Sequence, residues 1–163
     1  MIRRAVVLLA TVSVSLGAQR YASSVVAPVV RDSACTYSAC ALGLAPVWNA
    51  LDVTRGATGE HLASLGFFLP GNVAAAFAGS DSAQGYAGRA VRVRRVAAVL
   101  TDGGAVLIGA AVLHGLSSGH FSAADRVAAG AGTAAFAASV PLQFSADALL
   151  SRAVWWYNAR FIR

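Results

Sequence analysis

Few side chains in this sequence are equipped for chemistry. The titratable ones outside the arginines are mainly His61, His114, His120, Cys35, Cys40 and seven acids. Imidazole is the commonest metal ligand, and histidines also ligate haem iron. His61, His114 and His120, with Glu60 and Asp125 near them in sequence, are therefore a candidate metal or haem set. The spacing His114-x5-His120 is not that of two rings on one helix face. Cys35 and Cys40 are too far apart in sequence for a CxxC redox motif. They lack a Cys/His pair at zinc-finger spacing. Outside the cytoplasm the pair is expected to close as a local disulfide.

Asp102 is the other candidate. It is the only acid in the apolar stretch from Val96 to about Ser117. An acid inside a membrane helix is a functional candidate by default. Gly103 and Gly104 follow it and would admit a second backbone. In a shifted register the span runs Gly103–Phe121 and Asp102 sits at its boundary.

Other chemistries lack their residues. All 13 basic residues are Arg, so no Walker A lysine, Schiff-base lysine or Ser–Lys dyad is possible. No GxSxG, HExxH or GxGxxG stands in a strand–helix context. The arginines flank apolar stretches instead of forming a stripe with aromatics, which argues against nucleic acid as a partner.

The elements that would hold these residues follow from composition. The chain has 163 residues, 57% hydrophobic and 12% charged, with mean hydropathy +0.62. Soluble domains carry about 25% charged residues, so a lipid-facing surface is expected. Residues 1–18 place Arg3 and Arg4 before an uncharged run, Ala5–Ala18, which reads as a signal peptide. Residues 19–60 read as a loop-rich exported segment with one short helix near Val47–Val53. Residues 61–146 form the expected transmembrane domain, with spans at about 62–79, 96–117 and 127–146. Pro70-Gly71 interrupts the first span. Asp81 and Gln84 suggest a capping box for a polar helix preceding the second.

In residues 147–163, Leu149, Leu150, Ala153, Val154, Tyr157 and Phe161 recur near helical spacing. Trp155, Trp156 and Tyr157 cluster, with Arg152 and Arg160 beside them. This pattern reads as an amphipathic helix on the membrane surface, with these five residues as interface anchors. The expected fold is all-α: a small membrane helical bundle of about three transmembrane helices plus this surface helix.

Arginines near span ends mark the cytoplasmic side. With three spans and an exported N-terminus, Arg89–Arg95 and the tail are cytoplasmic. All three histidines and both cysteines then face the exported side of a bacterial inner membrane. Small-residue pairs such as Ala105/Gly109, Gly115/Gly119 and Ala74/Ala78 suit close helix packing.

The phrases Cys40-Ala-Leu-Gly-Leu, Thr54-Arg55-Gly56, Leu65-Gly66-Phe67-Phe68, Gly79-Ser80-Asp81-Ser82-Ala83, Pro141-Leu142 and Ala153-Val154-Trp155-Trp156-Tyr157-Asn158 also count. Together they resemble a group of uncharacterised bacterial proteins that combine a signal peptide with small-residue membrane helices. Those proteins end near an Ala-Val-x-x-Tyr-Asn phrase. The resemblance implies membrane residence and no activity.

The expected function is a non-enzymatic accessory or scaffold subunit of a membrane complex. Its expected partners are lipids and other membrane subunits, or self-association, with no resident cofactor. The alternatives are a redox, metal- or haem-handling protein and a proton-linked transport unit around Asp102.

Overall fold

The computed structural model describes residues 35–161. The expected signal peptide at 1–18 and Arg163 lie outside them. The described chain begins with one helical turn, α1 (Tyr37–Cys40), followed by strands β1 (Leu42–Val47), β2 (Ala50–Arg55) and β3 (Glu60–Gly66). The strands form an antiparallel meander in the order β1-β2-β3. The chain is mostly helical but not all-α.

The short helix expected near Val47–Val53 is instead the β1–β2 hairpin. Val47 pairs with Ala50 across the two-residue turn Trp48-Asn49. β-Branched Val47, Val53 and Thr54 favour the pleated conformation. Pro46 is tolerated because β1 is an edge strand. The β2–β3 turn needs glycine at Gly56, whose φ is +63°. A Cβ there would also lie 2.7 Å from the Ala39 carbonyl oxygen, because α1 rests against this turn.

The expected span at 62–79 is likewise corrected. Its first part is β3, and Val73–Phe77 is a short 3-10 helix. Pro70-Gly71 stops a continuous helix between them. The apolar side chains that suggested a span turn inward, with Leu65, Val73 and Phe77 completely buried.

Two long helices make up the rest. α2 (Asp81–Ser118) has 38 residues and α3 (Ala123–Asn158) has 36. At 1.5 Å per residue they are about 57 and 54 Å long. The expected polar helix and second span are one helix, α2. Its N-cap is Ser80, with Asp81 in the first turn, where an acid suits the helix dipole. The expected third span and surface tail are also one helix, α3, which runs through Pro141. Gly119 closes α2 with φ +74°. Ser122 caps α3 in a capping box with Asp125.

The helices pack as an antiparallel hairpin along one seam. On α2 it runs through Ala83, Ala87, Ala90, Arg94, Ala97, Thr101, Gly104, Ala111 and Gly115, all buried. On α3 it runs through Asp125, Gly132, Ser139, Ala146, Leu150, Ala153 and Tyr157. These positions follow the alternating three- and four-residue steps of a heptad.

The sheet packs only against the end of the hairpin where α2 begins and α3 ends. There Leu42, Val53, Leu65 and Phe77 join Ala87, Val91, Leu150 and Tyr157 in one core. We call this end the base, the two bare helices beyond it the shaft, and the α2–α3 turn the tip. The tail's apolar face is thus consumed by protein: Leu150, Ala153 and Tyr157 are buried, and Phe77 meets Tyr157 edge to face at 6.0 Å.

Both helices are long and apolar enough to cross a membrane. No third helix among the described residues qualifies. The core helix of a soluble protein can be equally apolar but is mostly buried, whereas the most apolar stretches of α2 and α3 are 28% and 11% buried. The sheet and the end of α3 pack together, so residues 42–66 and the end of the tail helix share one end of the hairpin.

Candidate functional site

The histidines divide between the two ends of the molecule. His61 lies on β3 in the base, while His114 and His120 lie at the tip. The expectation that all three share one face is overturned, because it depended on the missing span. Among the described residues no three His, Cys, Asp or Glu side chains stand close enough to hold a metal ion.

At the base, Asp52 and Ser64 are cross-strand partners. Ser64 Oγ donates to Asp52 Oδ1 at 2.6 Å, and His61 Nε2 lies 2.8 Å from Ser64 Oγ. With its proton on Asp52, the serine can only accept from His61. A hydrolytic triad needs the histidine between serine and acid; here the serine stands in the middle. Cys35 and Cys40 are disulfide-bonded with Cα atoms 5.9 Å apart. Cys35 precedes α1 and Cys40 ends it, and this turn is pinned to the β2–β3 turn by the Gly56 and Ala57 amides donating to the Ala41 and Ser38 carbonyls.

At the tip, Asp125 collects three donors. Ser122 Oγ lies 2.7 Å and the Ser122 amide 2.8 Å from Oδ2, while His114 Nδ1 lies 2.8 Å from Oδ1. The Ser122 hydroxyl, then its amide, then His114 lower the Asp125 pKa to about 2. Here the acid stands between serine and histidine, again not a triad. Gly115-Leu116-Ser117-Ser118-Gly119 spells GxSxG, but it ends a helix instead of joining a strand to one. Ser117 Oγ is spent on the His114 carbonyl at 2.9 Å. His120 Nδ1 lies 3.2 Å from the Ser118 carbonyl, away from the His114 pair.

The buried polar node lies where base meets shaft, and sequence reasoning missed it. Arg94 is completely buried. It donates to Gln143 and Asp147 of α3, and the Phe67 ring lies over its guanidinium at 4.7 Å. Its seven-residue spacing from Ala87 and Thr101 marks it as a seam position, but the Ala- and Gly-rich sequence around it masks that spacing. Two turns further along, Thr101 Oγ1 donates to Ser139 Oγ at 2.9 Å. A cavity of about 280 Å³ beside these residues is lined by Trp48, Asn49, Phe67, Phe68, Thr101, Phe136 and Gln143.

Asp102 is exposed, directly after Thr101 and at the height of this cavity. Of the five expected interface anchors, Tyr157 is buried. Arg160 stacks on the Tyr157 ring at 3.7 Å. Arg152 is exposed. Trp155 and Trp156 are also exposed and meet edge to face at 5.0 Å.

No protein-family model matches the chain, and no curated protein or solved structure matches it either.

Proposed function

We propose that this chain is a membrane-embedded scaffold or accessory subunit. In this reading the α2–α3 shaft crosses the bilayer and back, and the base is a folded platform at the surface. One observation carries it: the shaft is apolar all the way round. Val106 (68% exposed) and Leu113 (70%) lie opposite the seam. Val112 and Leu116 lie on one flank of α2, and Val96 and Leu107 on the other. Val127, Phe136, Val140 and Phe144 extend the surface over α3. Burying such a side chain is worth about 1.5–3 kcal/mol, and soluble monomers rarely expose patches beyond a few hundred Å². A second copy docked on one flank would leave the others wet, whereas lipid covers all of them.

The reading includes an orientation. Arg89, Arg92, Arg94, Arg95, Arg152 and Arg160 belong to the base, against Arg126 at the tip, so the positive-inside rule assigns the base to the cytoplasm of a bacterial inner membrane. The Cys35–Cys40 disulfide favours the reverse insertion, because such bonds persist in oxidising compartments.

Alkaline carbonate extraction of membranes tests the embedding. The protein stays with the lipid if the shaft crosses it, and release as a soluble monomer sinks the proposal. Alkaline phosphatase and green fluorescent protein fused to the C-terminal end test orientation. Fluorescence without phosphatase activity supports a cytoplasmic base; the opposite result overturns it. Co-purification in mild detergent tests the scaffold role, and a lone monomer without a stable partner counts against it.

A further inference from the structure

We infer that the tips of the sheet, Trp48 at the β1–β2 turn and Phe68-Leu69 after β3, dip into the lipid interface beside the shaft and set its depth. The inference rests on the embedded shaft proposed above. It reassigns the interface anchors from the C-terminal tryptophans to the sheet.

Two observations carry it. Trp48 is 89% exposed, Leu69 77% and Phe68 50%, and all three belong to loops that leave the sheet on its shaft side. The cavity that Trp48 and Phe68 share with Thr101, Phe136 and Gln143 places these loops at the height where the bare shaft begins. From Thr101 to His114, where the polar tip begins with the Asp125 pair, the helix rises about 20 Å, shorter than the roughly 30 Å hydrocarbon core, so the bilayer thins around the shaft. Arg95 lies about 9 Å below Thr101, at the depth of the headgroups, where Arg92 and Arg95 can meet lipid phosphates. Asp102 then falls at the boundary, in water's reach. Trp155 lies 12 residues beyond Gln143, about 18 Å further from the bilayer. That is too far for an interfacial ring. Tryptophan and phenylalanine at the loop tips suit the boundary because their rings are apolar yet tolerate headgroup contact.

The chain has three tryptophans, so W155F/W156F leaves Trp48 as the sole reporter. The full-length variant would be reconstituted in phosphatidylcholine vesicles with acyl chains brominated near the headgroup. The expected result is blue-shifted Trp48 emission, quenched by the brominated lipid and shielded from acrylamide. The W48F protein, reporting Trp155 and Trp156, should show the reverse. F68W in the background lacking all three tryptophans repeats the measurement from the second loop if the first variant folds poorly. Water-like emission from Trp48 and from the Phe68 position, in protein that still resists carbonate, overturns this inference alone. Protein that never stays with the vesicles overturns the embedded shaft as well.

Discussion

Asn158 holds both backbone groups of Leu42. Its Oδ1 accepts from the Leu42 amide at 2.8 Å, and its Nδ2 donates to the Leu42 carbonyl at 2.8 Å. The last residue of α3 thus completes the free edge of β1, satisfying groups that would otherwise invite another strand. The sheet is thereby tied to the C-terminal end of α3 in the base, 116 residues away in sequence. The Tyr157-Asn158 phrase consequently has a structural use in the base: the ring fills the core and the amide clamps the strand.

Replacing Asn158 with Ala should loosen the sheet without unfolding the shaft. Two partly buried backbone groups lose their partners, at a cost of about 1–3 kcal/mol. Hydrogen exchange read by mass spectrometry should show faster exchange across β1 and unchanged protection in α2 between Ala97 and Ala111. Uniform loss of protection in both would show that base and shaft do not behave as separate units.

Arg94 and Asp147 pose a different test, because one partner is completely buried and the other is 35% exposed. Removing the acid strands a cation inside the protein. Breaking a buried pair costs about 3–5 kcal/mol, and partial exposure of Asp147 puts Asp147→Asn near 3. Arg94→Met/Asp147→Leu removes both charges and should recover much of that loss. Chemical unfolding of the three proteins gives the comparison; a double variant as unstable as Asp147→Asn would refute the account.

The tip supplies the pH dependence. A carboxylate whose folded pKa lies below its unfolded value of roughly 4 adds stability above that value. The contribution is lost as pH falls toward the folded value of about 2. The wild type should therefore lose stability between about pH 4 and pH 2, and Asp125→Asn should show a smaller acid loss. Ser122→Ala removes the helix cap as well, costing about 1 kcal/mol at neutral pH. Thermal unfolding followed by helicity at stepped pH reads both effects, and an unchanged acid limb in Asp125→Asn would remove Asp125 from the explanation.

The legible part of this fold was the pair of apolar helices, because uncharged runs of that length have few other uses. The base was hidden for physical reasons. Leu42–Val47 contains Ala, Gly and Pro, which do not advertise a strand. Leu62–Gly79 is as apolar as a span, and only the core formed by Leu65, Val73 and Phe77 shows where that apolarity goes. The helix seam was hidden by the shaft's composition, since an apolar lipid face erases the contrast that reveals a heptad. The small-residue pair Ala105/Gly109 therefore pointed to the wrong face. Ala105 is exposed, and a Cβ at Gly109 would meet nothing within 4 Å. The site residues fared similarly: His61 and His114 fell on one side only while a third span was assumed, and Arg94 was grouped with its neighbours in the Arg89–Arg95 stretch assigned to the cytoplasm.

Gly104 and Gly132 test the seam most directly. A Cβ on Gly104 would lie 2.6 Å from the Gly132 carbonyl oxygen, and a Cβ on Gly132 would lie 2.6 Å from that of Gly104. The obstacle is backbone, which cannot rotate aside, so the helices would have to part. Overpacking of this kind costs about 1–3 kcal/mol, against about 1 kcal/mol gained in helix propensity. Gly130 has the same propensity argument with open space around it. Gly130→Ala should stabilise the hairpin by about 0.5–1 kcal/mol, while Gly104→Ala should destabilise it and weaken the neighbouring Thr101–Ser139 contact. Thermal unfolding of both variants in the same detergent separates the two effects. Equal stabilisation by the two substitutions would mean that the helices do not meet at these glycines.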